Sequence, residues 1–321
     1  MQTRDPATPI DIPIGTAWRY LGIGLGLCLV LIVGFAFATS WLVRTRVEPR
    51  DNLTRNLVQL TTIRAPVVAV GDSRMAFDFV PGDHAANLSY VGENIEDMNR
   101  RLRMHLASGA TPKVVLLQAT PHLFSTYRLS AGLADYLAEG DKTVLGVGER
   151  HLPYLFTYWK LYLSSRGFAS GTISLRDKGG LTRTERFDAL TPDARRVAAG
   201  ARAAQQMPVE DIRSTPAARL YETLVSFLVD RGIAVCMVNL PVSPEYLQAI
   251  DGNPRVQAAR DFYRQVAAET GARYIDLERS LSSPDDLRYF TDADHLTPEG
   301  ASVLTGRLID SCPAASDIVA R

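Results

Sequence analysis

Three side chains in this 321-residue sequence have the types and settings of a nucleophile, its base and an orienting acid. Ser73 closes the run VVAVGDS (67–73), which reads as a buried strand entering a turn. In parallel α/β sheets, ligands sit outside the carboxyl ends of the strands. A serine there exposes its hydroxyl, and its backbone N–H can face a developing oxyanion. Gly71-Asp72-Ser73 also suits a plain helix start, since Asp and Ser are favoured caps. The second group lies in FTDADHLTPEGASVL (290–304), where Asp292 and His295 stand three apart just before a helix. A serine nucleophile needs a base to remove its proton, and the base needs a carboxylate to fix its tautomer. One Asp-x-x-His loop supplies both. Read alone, it also fits a cap, with Asp294 or Thr297 closing the helix that begins at Pro298 and His295 on the surface.

The elements that must position these groups alternate along the chain. A helical stretch follows Ser73 over 73–80. ANLSY (86–90) reads as a short strand, and ENIEDMNRRLRMHL (93–106) as an amphipathic helix with Ile95, Met98, Leu102 and Leu106 at helical spacing. KVVLLQA (113–119) and IAVCMVNLP (233–241) are buried-strand runs, the second preceded by a helix over 218–232. A helix over about 255–270 leads to ARYIDL (272–277). Short apolar strands separated by helices predict an α/β fold, a parallel sheet with helices on both faces. Residues 120–217 lack a clear strand and read as a helical insertion. Within it, HLPYLFTYWKLYLSSRGF (151–168) is rich in aromatics and reads as a core helix, a membrane-contacting helix or a docking surface.

Together, a strand-terminal Gly-Asp-Ser and a late Asp-x-x-His resemble the GDSL/SGNH hydrolase superfamily, over roughly 65–310 with the insertion outside it. The resemblance implies a three-layer SGNH-type α/β fold with Ser73 as nucleophile and Asp292 and His295 as the acid and base. It also implies an oxyanion hole built from the N–H groups of Ser73 and Gly92. Gly92 follows a strand and precedes a helix, as the second family block requires. The third block departs from the pattern. The family usually carries Gly-x-Asn-Asp there, with the Asn side chain as a further donor. This sequence reads Gln118-Ala119-Thr120-Pro121-His122, with Pro121 in place of Asn. That departure is similar to the membrane-anchored DltD-like branch, which acts in acylating cell-envelope polymers beside a multi-span acyltransferase.

An anchor is legible in the residues themselves. From Tyr20 to Val43 no charge occurs, and Arg19 and Arg44 bound the run. At 1.5 Å per residue it spans about 36 Å, enough for a hydrocarbon core of about 30 Å. Trp18, Tyr20 and Trp41 mark its ends as an aromatic belt would. Gly22-x-x-x-Gly26 is a small-residue face that can pack on another helix. An uncleaved anchor is the expectation. A cleaved signal peptide is the alternative, because Ala36-Phe37-Ala38 forms an A-x-A pattern. The organisation expected is a tail (1–19), a transmembrane anchor (20–43), a stalk (44–64), the α/β domain (65–312, insertion about 120–217) and a tail (313–321). Arg4 and Arg19 precede the span, whereas Arg44, Arg46, Arg50 and Arg55 follow it. The positive-inside rule therefore places the large domain in the cytoplasm, while the resemblance implies export. The expectation adopted is an exported, periplasmic or extracellular domain.

Composition excludes other classes. Basic and acidic residues number 35 each, so no basic nucleic-acid surface dominates. Five histidines show no metal-ligand spacing, and no phosphate-loop or Gly-x-Ser-x-Gly motif occurs. No metal and no cofactor are expected. Cys28, Cys236 and Cys312 are too scattered for a disulfide scaffold. Cys236 reads as a small core hydrophobe, or as half of a Cys236–Cys312 bridge in an oxidising compartment. His122 reads as structural, with a place near the pocket as the alternative. Arg74 reads as solvated or salt-bridged, with contact to an anionic substrate as the alternative.

The expected partners are the membrane, an acylated glycan or small acyl-ester substrate, and a multi-span acyltransferase. The activity expected is that of a serine esterase or O-acyltransferase. The rival is a non-catalytic SGNH-fold subunit that binds glycan or organises the acyltransferase.

Overall fold

A computed structural model describes residues 14–42, 45, 52–129, 143–144, 147–148, 174–182 and 185–320. The aromatic run 151–168 lies outside the described residues. The chain divides into two units: residues 1–47 with 141–168, and residues 48–140 with 169–321.

The first unit contains helix α1, Ile14–Leu42. It is the one helix among the described residues long and apolar enough to cross a membrane, and a signal sequence would share both traits. Leu27, Val30 and Ile32 are exposed along it. A helix apolar on all sides has no polar face to turn to water, which suits lipid. Thr143–Val144 and Val147–Gly148 pair as a small antiparallel ribbon.

The second unit is built on five parallel strands. These are β1 (Val67–Val70), β2 (Ala85–Asn87), β3 (Val114–Gln118), β4 (Ala234–Asn239) and β5 (Arg273–Asp276), in the order β2-β1-β3-β4-β5. The register aligns Val67 with Val114, and Val114 with Ala234. Because side chains alternate along a strand, each continuous apolar run feeds two cores. Val67, Ala69, Val114, Leu116, Cys236 and Val238 enter one core. It is closed by α6 (Pro192–Gln205), α8 (Pro244–Ile250) and α10 (Pro298–Ser311). Val68, Val70, Val115, Leu117, Val235 and Met237 enter the other. That side is closed by α4 (Ile95–Ala107), α7 (Pro216–Val229) and α9 (Pro254–Thr270). The remaining helices are α2 (Asn52–Thr62), α3 (Ser73–Asp78), α5 (Thr126–Leu129) and α11 (Pro313–Val319).

Local chemistry sets the helix starts. Thr191, Thr215, Ser243, Asn253 and Thr297 each cap a helix with proline in its first turn. Asn94 and Asp97 form a reciprocal capping box on α4.

Three parts add to the expected organisation. Part of the expected stalk is helix α2, whose Leu60 is buried in the second core. Its Asn56 accepts from Arg101 of α4. The helix has an apolar face, and that face packs. Residues read as a C-terminal tail form α11, with Ala315 buried. Cys236 and Cys312 are joined in a disulfide, tying β4 to the start of α11. Of the insertion, the described parts include α5, a ribbon pairing Ser174–Leu175 with Leu181–Thr182, and α6.

Candidate active site

Asp72 and Ser73 sit where β1 ends and α3 begins. The turn is tight enough to require glycine at 71: a Cβ there would lie 2.3 Å from Gln118 Oε1 and 2.5 Å from Met75 Cβ. Asp72 is the cap of α3, its carboxylate accepting from Arg74 N–H at 2.9 Å. Ser73 is thereby the first helical residue, 7% exposed.

Its hydroxyl meets the C-terminal loop. Ser73 Oγ is 2.9 Å from His295 Nε2. On the other side of the ring, Nδ1 is 2.9 Å from Asp292 Oδ1. The same carboxylate accepts the backbone N–H groups of Asp294 and His295, so a single oxygen folds the loop and orients the ring. Facing a carboxylate, Nδ1 carries the proton and Nε2 presents its lone pair to the serine. Phe77 packs edge-on against the imidazole, with ring centroids 5.4 Å apart.

The electrostatics favour a charged imidazole. Burial opposes the His295 cation, but Asp294 and Asp292 outweigh it and raise the ring above its ordinary value. Burial would also raise Asp292, yet His295 and its hydrogen bond hold that carboxyl below the usual range.

Asp294 also faces the imidazole, its Oδ1 3.5 Å from Nδ1, and anchors a further network. It is buried and bound by Arg74 at 3.1 Å, Arg202 at 3.0 Å and Gln206 at 2.7 Å. Thr297, not Asp294, caps α10. Arg74 is salt-bridged and 2% exposed, which removes it from direct contact with an anionic substrate. Asp292, Asp294 and His295 place ligand atoms within 4.8 Å of one another, a spacing a metal could use. The two arginines on Asp294 oppose a cation there.

A second buried network underlies the serine. Asp72 is bound by Gln118 Nε2 at 2.9 Å, His122 Nε2 at 2.7 Å and Arg128 Nη2 at 2.8 Å. Burial would raise its carboxyl, but His122, Arg128 and Arg74 drive it far below the usual range. Burial pushes the His122 ring down to about 3, so it stays neutral and serves as a hydrogen-bonding strut. Pro121 opens a 3-10 turn, Pro121–Phe124, and carries no donor. Gln118 Nε2 is held by Asp72 and by Thr120 Oγ1 at 2.8 Å. Gly92 lies in the turn between β2 and α4 at the same sheet edge, with φ +83°. Only glycine adopts that backbone without strain.

The catalytic candidates read from sequence, Ser73, Asp292 and His295, are therefore brought together. Sequence reasoning missed Asp294, Arg202, Gln206, Gln118, Arg128 and Asp78. Asp78 is buried, accepts Leu296 N–H at 2.8 Å, and is pushed by burial to about 8. Beside His295 opens a cleft of about 420 Å³, walled by Phe187, Leu190 and Ala198, with Arg202 at its edge.

No family model matches the chain, and no curated protein sequence matches it. Similar solved structures include an acylhydrolase from Bacteroides fragilis, at 13% identity and a TM-score of 0.41, covering 83% of this chain and 97% of that one. A GDSL-like lipase from Bacteroides thetaiotaomicron matches at 10% identity and 0.40, over 83% and 98% of the two chains. The acetylxylan esterase Axe2 from Geobacillus stearothermophilus matches at 9% identity and 0.35, over 78% and 95%.

Proposed function

We propose that this chain is a membrane-anchored acyl-ester enzyme of the SGNH type. Ser73 takes an acyl group and passes it to a sugar hydroxyl of a cell-envelope or extracellular polysaccharide, or to water. One observation carries the reading: a single imidazole, His295, lies within hydrogen-bond distance of both Ser73 Oγ and Asp292.

The steps follow from that contact. His295 Nε2 takes the hydroxyl proton as Ser73 Oγ attacks the ester carbonyl. Asp292 stabilises the resulting imidazolium through Nδ1–H. The oxyanion is met by the N–H groups of Ser73 and Gly92. Collapse of the tetrahedral adduct releases the alcohol, which receives its proton from Nε2. The acceptor hydroxyl then gives up its own proton to Nε2 and removes the acyl group.

The domain is exported in this reading. The Cys236–Cys312 disulfide supports that side, since disulfides persist in oxidising compartments. Helix α1 is the anchor, as in the DltD-like layout, and a multi-span acyltransferase is the expected partner. The rival reading, a non-catalytic glycan-binding or organising subunit, draws on Pro121 in place of the third-block donor. A fluorophosphonate probe separates the two. Covalent labelling of the full chain in membranes, lost in Ser73→Ala, is expected. An unlabelled wild-type chain would favour the subunit.

A further inference from the structure

The residue after the nucleophile is tied to the residue before the base. Arg74 follows Ser73 on α3, Asp294 precedes His295, and Arg74 Nε donates to Asp294 Oδ2 at 3.1 Å across 220 positions of sequence. Gln206 closes the pair into a ring. Its Nε2 donates to the same Oδ2 at 2.7 Å, and its Oε1 accepts Arg74 Nη2 at 2.6 Å. Tyr246 of α8 donates its hydroxyl to Gln206 Oε1 at 2.8 Å. Arg74, Gln206 and Asp294 are all buried. From α6, Arg202 Nε donates to Asp294 Oδ1 at 3.0 Å. Gln206 caps the end of that helix, which belongs to the insertion between the family blocks.

Such a cluster is a weak source of stability, because desolvating two guanidinium groups and a carboxylate offsets much of their attraction. Its placement bears on the imidazole instead. Asp292 takes the Nδ1 proton at 2.9 Å. Asp294 Oδ1, at 3.5 Å from the same nitrogen, acts on the ring through its charge.

We propose that Asp294 is a positioning residue for the acyl transfer: clamped by Arg74, Arg202 and Gln206, it holds the imidazole on Ser73 and shares the positive charge the ring acquires. The inference rests on the reading of Ser73 and His295 as nucleophile and base. The charged groups facing the ring are Asp292 and Asp294 from its own loop and Asp78 from α3. Arg74 of α3 and Arg202 of α6 face Asp294 in turn. Two substitutions therefore act in opposite directions. Neutralising Asp294 removes attraction for the imidazolium, so the base works at lower pH. Neutralising Arg202 leaves more of the Asp294 charge for the ring, which then holds its proton to higher pH.

The test is the rate of fluorophosphonate labelling of Ser73 against pH, in membranes carrying the full chain. In Asp294→Asn the acid-side midpoint is expected to fall by about one pH unit, and the plateau rate to drop about tenfold or more. In Arg202→Gln the midpoint is expected to rise. A merely structural cluster would lower the amount of folded chain and leave both midpoints in place. Asp294→Asn deprives two guanidinium groups of their carboxylate and can fail to fold. Arg202 is 24% exposed, so its variant decides the matter by itself in that event. A midpoint unmoved or lowered in Arg202→Gln, or unmoved or raised in Asp294→Asn, would overturn the role of Asp294 and leave Ser73 as the nucleophile. A wild-type chain that takes no label would remove the enzyme reading itself, and this role with it.

Discussion

At the scale of single residues, the chemistry turns on His295 being neutral at the moment Ser73 is deprotonated. The aspartates raise the ring above its ordinary value, so protonation disarms it below that raised value. A base with a raised value is active only above that value. We therefore expect kcat/KM for a chromogenic acyl ester to fall on the acid side with an apparent pKa above the ordinary histidine value. A limb centred well below it would contradict the electrostatics. Ser73→Ala and His295→Ala are each expected to cost about 10⁴-fold or more, and together no more than either alone, because they act as one unit. Asp292→Asn should cost a comparable factor by offering the wrong partner to Nδ1. Melting temperatures of all three should move little, corresponding to about 1–2 kcal/mol at most, since none leaves a large apolar cavity.

At the scale of elements, α3 and the His295 loop share a buried carboxyl. Asp78 Oδ1 accepts Leu296 N–H, while Oδ2 lies buried with no partner. Its value of about 8 stands far above that of an exposed aspartate, 3.8. Between those limits the folded chain holds a proton that the unfolded chain has lost. Stability from this group is therefore present at low pH and falls as pH rises toward 8. Asp78→Asn mimics the protonated form and should flatten that decline. In thermal melts the variant should gain on wild type at pH 8 and match it only near pH 3.8 and below; a constant offset would remove Asp78 from the pH response. The strands were legible because each is a short apolar run bounded by turn residues, as in VVAV and VVLL. Ser73, Asp292 and His295 were legible because their spacing repeats a known chemical pattern. Asp294 was not, since its role depends on Arg202 and Gln206 arriving from α6. Asp78 was hidden for a similar reason. Its partner is 218 residues away, and an aspartate at a helix end otherwise reads as solvated.

At the scale of the whole molecule, the disulfide joins residues 76 apart. The sequence offers this bridge only as one of two readings of Cys236, because the pairing depends on α10 folding back across the first core. Closing a loop of that length typically stabilises by about 2–4 kcal/mol. Reduction, or Cys312→Ser, is expected to lower the unfolding free energy of the domain by that amount, read as a reduced denaturation midpoint. An unchanged midpoint under reducing conditions would show the bridge to be dispensable.

The short helix α3 also acts as a caliper. One jaw is Ser73 at its first position, and the other is Asp78 at its last, gripping the loop that carries the imidazole. The span between jaws is fixed by the rise of the helix, about 1.5 Å per residue. A residue inserted between them would swing the far jaw by about 100° and open the gap that the serine and the imidazole must share. The six-residue length of α3 is thus a dimension of the site itself.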